Sequence, residues 1–432
     1  MSDMLLRAPF FHTPANPFRS TGALQCYEDG ALLIRDGRIV ASGGFHEVRK
    51  EAPEAEALDW RGGYLLPGFV DAHVHYPQLR IIGGLGRTLL EWLDQVALPE
   101  EMRMADATYA SDTARRFVYA LASHGTTTAL VFGAHFANAT AALFDAADAA
   151  GVRMVSGLVL SDRALRPELH QSPTEIYFES EALIERFHGK GRLLYAVTPR
   201  FALSTSEAML EMCQTLVREH DGLRVQTHIN EQPDEVTACV QAFPWATDYL
   251  SIYERYSLCG PRTVMAHNVQ TTDAELERLA ASQTSVAHCP CSNAALGSGI
   301  FPLRRHLAAG VHCALGTDVG GGTGFGMLKE ALQAYLMQRV ARDGQVLDPG
   351  QLLYMSTRAG AEALGLHDET GDLSAGKSAD FVYVRPEADT PLAGVLERVA
   401  SMEQALAAII TLGDTASIQE VRVGGEKVFG RR

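Results

Sequence analysis

Between residues 68 and 319 the chain alternates, eight times over, a short apolar and β-branched run with a stretch of helical periodicity. The runs are GFVDAHVHY (68–76), TTTALVFG (126–133), RMVSGLVL (153–160), LLYAVTPR (193–200), LRVQTHINE (223–231), TVMAHNV (263–269), TSVAHCP (284–290) and HCALGTDV (312–319). Segments between them, such as EALIERFHG (181–189) and DAELERLAAS (273–282), carry one apolar helical face. Eight strand-helix units in about 270 residues match a closed parallel barrel better than an open sheet. The predicted fold class is therefore α/β, a (β/α)8 barrel.

Both ends of the chain break this rhythm and read as β structure without helices. ALLIRDGRIVASGG (31–44) is two β-rich runs around Asp36-Gly37, a strong hairpin signal. SADFVYV (378–384) with EVRVGGEKVF (420–429) repeats the style around Gly424-Gly425. Such matching ends are expected to pair into one small sheet. The chain then divides into an N-terminal part of a β domain (1–65), the barrel (66–371) and a C-terminal part of the β domain (372–432). One connection stands apart: about thirty residues follow the first strand before a regular helix pattern resumes, far beyond a usual βα loop. It is expected to act as a lid or a subunit contact.

Composition narrows the function classes. With 432 residues, 47% of them apolar, the chain can bury a large core. Its 37 basic and 52 acidic side chains leave a net charge of −15, with no basic cluster interleaved with aromatics, which argues against nucleic acid or an anionic membrane as partner. MSDMLLRAPFFHTPANPFRS, at the start, is interrupted where a signal peptide needs apolar continuity, and no later run has the apolar length of a membrane span. A cytoplasmic location is expected. The seven cysteines are odd in number and scattered without C-x-x-C spacing, so they read as reduced, packed thiols. HCPC (288–291) has no second half and is not read as a metal knuckle.

In a (β/α)8 barrel the carboxyl ends of the strands build the site. The first strand ends with His73 and His75, which strand alternation points to one face, where both can reach a single ion. The fifth ends with His228, the sixth with His267 and the eighth with Asp318. One histidine alone would more often be a hydrogen-bonded core residue. An H-x-H pair with three further ligand-type residues at the expected ends is a metal site. Nitrogen and oxygen ligands without thiolate suit Zn²⁺, while Fe²⁺, Co²⁺ or Mn²⁺ also fit. Such an ion lowers the pKa of its water toward about 7, so the site suits hydrolysis.

PGFVDAHVH, QTHINE, MAH and LGTD resemble the amidohydrolase superfamily over nearly the whole chain. The resemblance implies that the terminal segments form a small β-sandwich beside the barrel. Binuclear members carry a lysine at the end of the fourth strand, where this chain has Arg200, so the implied centre holds one ion per subunit on His73, His75, His228 and Asp318. HINE resembles the mononuclear deaminase branch, in which the position of Glu231 shuttles protons between the attacking water and a ring nitrogen. Without a metal nearby, a glutamate there would merely favour a helix start.

HYPQ (75–78), LLEWL (89–93), TPRFALS (198–204) and LGTDVGGGTGFGML (315–328) resemble the guanine deaminase family within that branch. The resemblance implies that Gln78 and Arg200 hydrogen-bond the purine and that Phe201 adds to its pocket. Chemistry agrees, since guanine shows O6 and N7 acceptors along one edge, Arg is a fork of donors, and Gln both donates and accepts. The implied reaction is hydrolysis of guanine to xanthine and ammonia without an organic cofactor. Asp318 takes the water's proton, His267 orients the nucleophile, and Glu231 protonates N3 as C2 is attacked. A homodimer is implied as well. Alternatives are a related aminohydrolase acting on a pterin, pyrimidine or s-triazine, and a non-catalytic barrel used for assembly or partner binding. Trp92 is expected to pack the long connection rather than stack on a ligand. GGGTGFG (320–326) lacks the lysine of a phosphate loop and is expected to let backbone approach the metal site. His288 and Cys291 receive no role.

Overall fold

The computed structural model describes residues 3–431, so residues 1, 2 and 432, the outermost positions of the two terminal segments, lie outside the described residues. Each of the eight predicted runs contains a strand. They are β1 (Phe69–His75), β2 (Thr126–Phe132), β3 (Arg153–Gly157, resumed at Val159–Leu160), β4 (Leu193–Pro199), β5 (Arg224–Ile229), β6 (Thr263–His267), β7 (Ser285–His288) and β8 (Cys313–Leu315). All neighbouring pairs from β1 to β8 are parallel. Beyond the short β8, Asp318 N donates to His73 O at 2.8 Å and His75 N to Val319 O at 2.9 Å, which joins the last strand to the first. The ring closes at the two segments that carry His73, His75 and Asp318.

Helices cover the outside because each offers one apolar face. In Ala107–Ser123 the buried residues Ala110, Ala114, Phe117 and Leu121 recur at three- and four-residue spacing. Asp106 starts that helix by accepting from the backbone of Thr108 and Tyr109. The predicted helix at 273–282 is observed with those bounds. The helix sensed at 181–189 begins earlier, at Pro173, since proline is well suited to a first turn.

Two expectations need correction. The terminal strands form two sheets, not one. One sheet holds four N-terminal strands, and the other joins Phe10–His12, Gln25–Tyr27 and Tyr64–Pro67 to Phe381–Val384, Ile418–Val423 and Glu426–Gly430. Each hairpin was legible locally, but a turn motif does not say which strand lies on its far side. Leu6, Phe10, Leu32, Ile34, Ile39, Leu65, Phe381 and Tyr383 fill the space between the sheets. The hairpin tips touch: Asp36 and Gly37 have φ of 51° and 77°, Gly424 and Gly425 have 57° and 75°, and a Cβ on Gly37 would lie 2.6 Å from Gly424 O.

The long first connection is not a loop either. It folds as a chain of short helical pieces: 3₁₀ at Tyr76–Ile81, α at Leu89–Trp92, a π turn at Leu93–Ala97, α at Leu98–Met102 and 3₁₀ at Arg103–Ala105. None is long enough to show a clear period. Buried Leu89, Trp92, Leu93, Ala97 and Leu98 hold them on the barrel mouth. Among the described residues, no helix is long and apolar enough to cross a membrane.

Candidate metal centre and purine pocket

His73, His75, His228 and Asp318 each offer one ligand atom, and these atoms all lie within 4.8 Å of one another. His75 Nε2 is 3.2 Å from both His73 Nε2 and His228 Nε2. Asp318 Oδ1 is 3.2 Å from His73 Nε2 and 3.3 Å from His75 Nε2. Three ring nitrogens aimed at one point repel as donors and make sense as lone pairs facing a cation. Burial lowers the imidazole pKa values, that of His75 to about 3 and that of His228 far below its usual range, so the rings stay neutral and able to ligate. His228 Nδ1 lies 2.6 Å from Arg200 O, which fixes the proton on Nδ1 and leaves Nε2 free for an ion. The donor set fits a divalent metal.

Around this group the backbone is unusual. Asn230, His267, Asn268 and Asp318 have φ between 48° and 75°, a region that residues with a Cβ seldom enter, at a cost of about 1–3 kcal/mol each. Asp71, one turn of the pleat before His73, accepts from Thr317 N at 3.0 Å and Thr317 Oγ1 at 2.5 Å, tying the loop that carries Asp318 to β1. The glycines after Asp318 allow that loop to fold tightly. A Cβ would lie 2.7 Å from Gln78 O on Gly320 and 1.9 Å from Thr317 O on Gly322.

His267 stands beside the ligand group. Its Nδ1 is 3.0 Å from Asn293 Oδ1, while Nε2 faces Glu231 Oε2 at 3.4 Å and Asp318 Oδ2 at 3.8 Å. Glu231 follows β5 and receives a hydrogen bond from Ser298 Oγ at 3.1 Å. Burial, and then the negative charge of Asp318, push the Glu231 carboxyl up to about 8. A raised pKa suits a carboxyl that must hold and release a proton.

A narrow pocket opens over this group. His75, Gln78, Arg200, Phe201, His228, Glu231, His267 and Asp318, all expected site residues, line it, together with Leu89, Trp92, Leu93, Glu235 and Leu296. His73 completes the ligand group beneath. Trp92 is 4% exposed and lines the pocket besides packing its connection, a placement that the sequence did not reveal. Glu101 was also missed. Its carboxylate receives Arg200 Nη1 at 2.9 Å on both oxygens and Gln78 Nε2 at 2.8 Å. Nothing distinguishes it in LPEEM, because its partners come from elsewhere in the chain. His288, at the end of β7, stacks on Phe301 at 4.3 Å and stays outside the ligand group. All seven cysteines are free thiols.

A parallel barrel with such a group at its strand ends defines a class of metal-dependent hydrolases, and residues 64–428 match the amidohydrolase family. The chain belongs to that family. Residues 30–55 also match a bacterial imidazolonepropionase-like composite domain. Among curated relatives, the probable guanine deaminase of Deinococcus radiodurans is 56% identical over 433 residues, covering 99% of both chains. The guanine deaminase of Escherichia coli K12 is 39% identical, covering 96% of this chain and 94% of its own. Its solved structure superposes with a TM-score of 0.94 over 100% of both chains at 37% identity. The guanine deaminase of Bradyrhizobium japonicum gives a TM-score of 0.95 at 32% identity, also over 100% of both chains.

Proposed function

We propose that this chain hydrolyses guanine to xanthine and ammonia. The observation that carries the reading is one pocket that brings a four-ligand metal group, a proton-bearing glutamate and a purine-edge pair together. Full-length similarity to guanine deaminases supports the substrate. His73, His75, His228 and Asp318 would hold the ion, and their nitrogen and oxygen donors favour zinc, one per subunit. When bound, it supplies the Lewis acidity that makes water a nucleophile at neutral pH.

The protein's own groups then do the rest. Asp318 Oδ2, the oxygen turned toward His267, accepts a proton from the attacking water. His267 Nε2 orients that water between Asp318 and Glu231. Glu231 delivers its proton to N3 while C2 is attacked; Asp318 then passes the water's proton to the 2-amino group, which leaves as ammonia as the C2 hydroxyl gives its proton back to Glu231. Arg200 and Gln78 bind the O6/N7 edge, and Phe201 and Trp92 supply apolar wall. The reading extends to a cytoplasmic homodimer, for which the first connection offers exposed Leu85 (60%) and Ile82 (36%) as contact surface.

Ammonia release from guanine, with and without prior chelation, beside cytosine, adenine, isoxanthopterin and melamine, tests the proposal. Guanine-selective and chelator-sensitive release is expected. Release from another amine alone would retain the centre and discard the purine-edge assignment.

A further inference from the structure

Gln78 and Arg200 are not free to choose how they meet a ligand. The Gln78 side chain lies between a carboxylate, which can only accept, and the Gly320 N–H, which can only donate. Its Nε2 therefore points to Glu101 Oε1 at 2.8 Å and its Oε1 receives Gly320 N at 2.9 Å, and the reverse orientation would lose both bonds. Glu101 also grips Arg200 by Nη1 alone, while Nε and Nη2 make no hydrogen bond among the described residues. Both side chains of this ion pair are 3% exposed, so the charges meet in a poorly solvated place. The third neighbour, His135, has Nδ1 3.4 Å from Glu101 Oε2, and burial keeps its ring uncharged.

From this geometry we infer that Glu101 is a positioning residue that sets the specificity of the purine end. It fixes the donor and acceptor faces of Gln78 and cancels the charge of Arg200, so that this end admits neutral purines and discriminates against anionic oxopurines. The inference rests on the purine reading above. An uncompensated guanidinium in the same place would attract any anion with a matching edge. Opposed by a carboxylate, it offers hydrogen-bond donors without net charge.

Urate, an anion at neutral pH that carries N7–H, and hypoxanthine, neutral with guanine's O6/N7 acceptor edge, are the probes, and the readout is the change of their ratio between variants, in which the difference of edge cancels. Their dissociation constants are measured by calorimetry on the metal-loaded protein. Glu101→Gln is expected to lower the urate-to-hypoxanthine ratio of dissociation constants at least about tenfold, and to raise KM for guanine more than it lowers kcat. Glu101→Asp keeps the charge and should keep the ratio, while its shorter reach still raises KM. Glu101→Ala removes the same charge and should lower the ratio in the same direction, which carries the test if Glu101→Gln does not fold. A ratio unmoved in folded Glu101→Gln, or moved as far by Glu101→Asp as by Glu101→Gln, overturns the inference. If the unaltered protein releases no ammonia from guanine, the proposed activity falls, while the binding ratios still decide the role of Glu101.

Discussion

Glu330 is a buried acid outside the proposed chemistry, and its replacement makes a quantitative test of the structure. It lies on the helix Met327–Val340 with 0% exposure. One carboxyl oxygen receives Cys291 N at 3.0 Å, and the other has no partner. Burial pushes the carboxyl up from 4.5 to about 8. Below pH 4.5 the folded and unfolded chains both carry the proton, and Glu330 costs nothing through ionisation. As pH rises, the unfolded chain releases the proton first, so stability is lost until the folded carboxyl ionises near 8. At about 1.4 kcal/mol per pH unit, the full window from 4.5 to about 8 amounts to about 5 kcal/mol, and about 4 kcal/mol of it falls between about pH 5 and 8.5.

Glu330→Gln removes the ionisation and keeps the acceptor for Cys291 N. The unpartnered amide costs about 1–3 kcal/mol, but equally at every pH. Urea unfolding followed by tryptophan fluorescence, run for both proteins at pH 5 and 8.5, should show the variant gaining about 4 kcal/mol on its parent across that interval. Titrating groups that do not interact with Glu330 are common to the two chains and cancel. Stability curves that stay parallel would refute the argument, because they would mean that the Glu330 carboxyl is solvated or paired in the fold.

Other expectations are narrower. Glu231→Gln should still bind guanine and metal, with turnover reduced by about 10²–10⁴; near-normal turnover would overturn the proton-shuttle role. His228→Ala removes one of four ligands, and elemental analysis after dialysis should find the metal largely lost while circular dichroism stays unchanged. Gly322→Ala would set a Cβ 1.9 Å from Thr317 O, so about 1–3 kcal/mol of stability should be lost, read as a lower melting temperature, together with metal affinity as Asp318 shifts.

The barrel strands were readable because burial on both faces writes itself as continuous apolar runs, so LLYAVTPR and TVMAHNV announce themselves. The residues of the candidate metal group were readable because they sit at the ends of those runs. Glu101 and Trp92 were not, since they lie in helical pieces of four or five residues, one turn short of any period, and reach the pocket only through tertiary packing. The division of the terminal strands into two sheets was equally hidden. Asp36-Gly37 and Gly424-Gly425 specify their own hairpins and say nothing of each other, although they end in contact.

The second sheet of the terminal domain is assembled from strands made far apart in time. Tyr64–Pro67 finds its partner in Phe381–Val384, and the whole barrel is synthesised between the two. During translation the early strand waits with an unpaired edge, the kind of surface that recruits neighbouring chains. Closure of the barrel brings the two ends together and shortens the search for the late partner. A ribosome that stalls after the barrel but before residues 381–384 emerge would therefore leave a finished barrel with a sticky rim, and aggregation of such fragments should begin at residues 64–67.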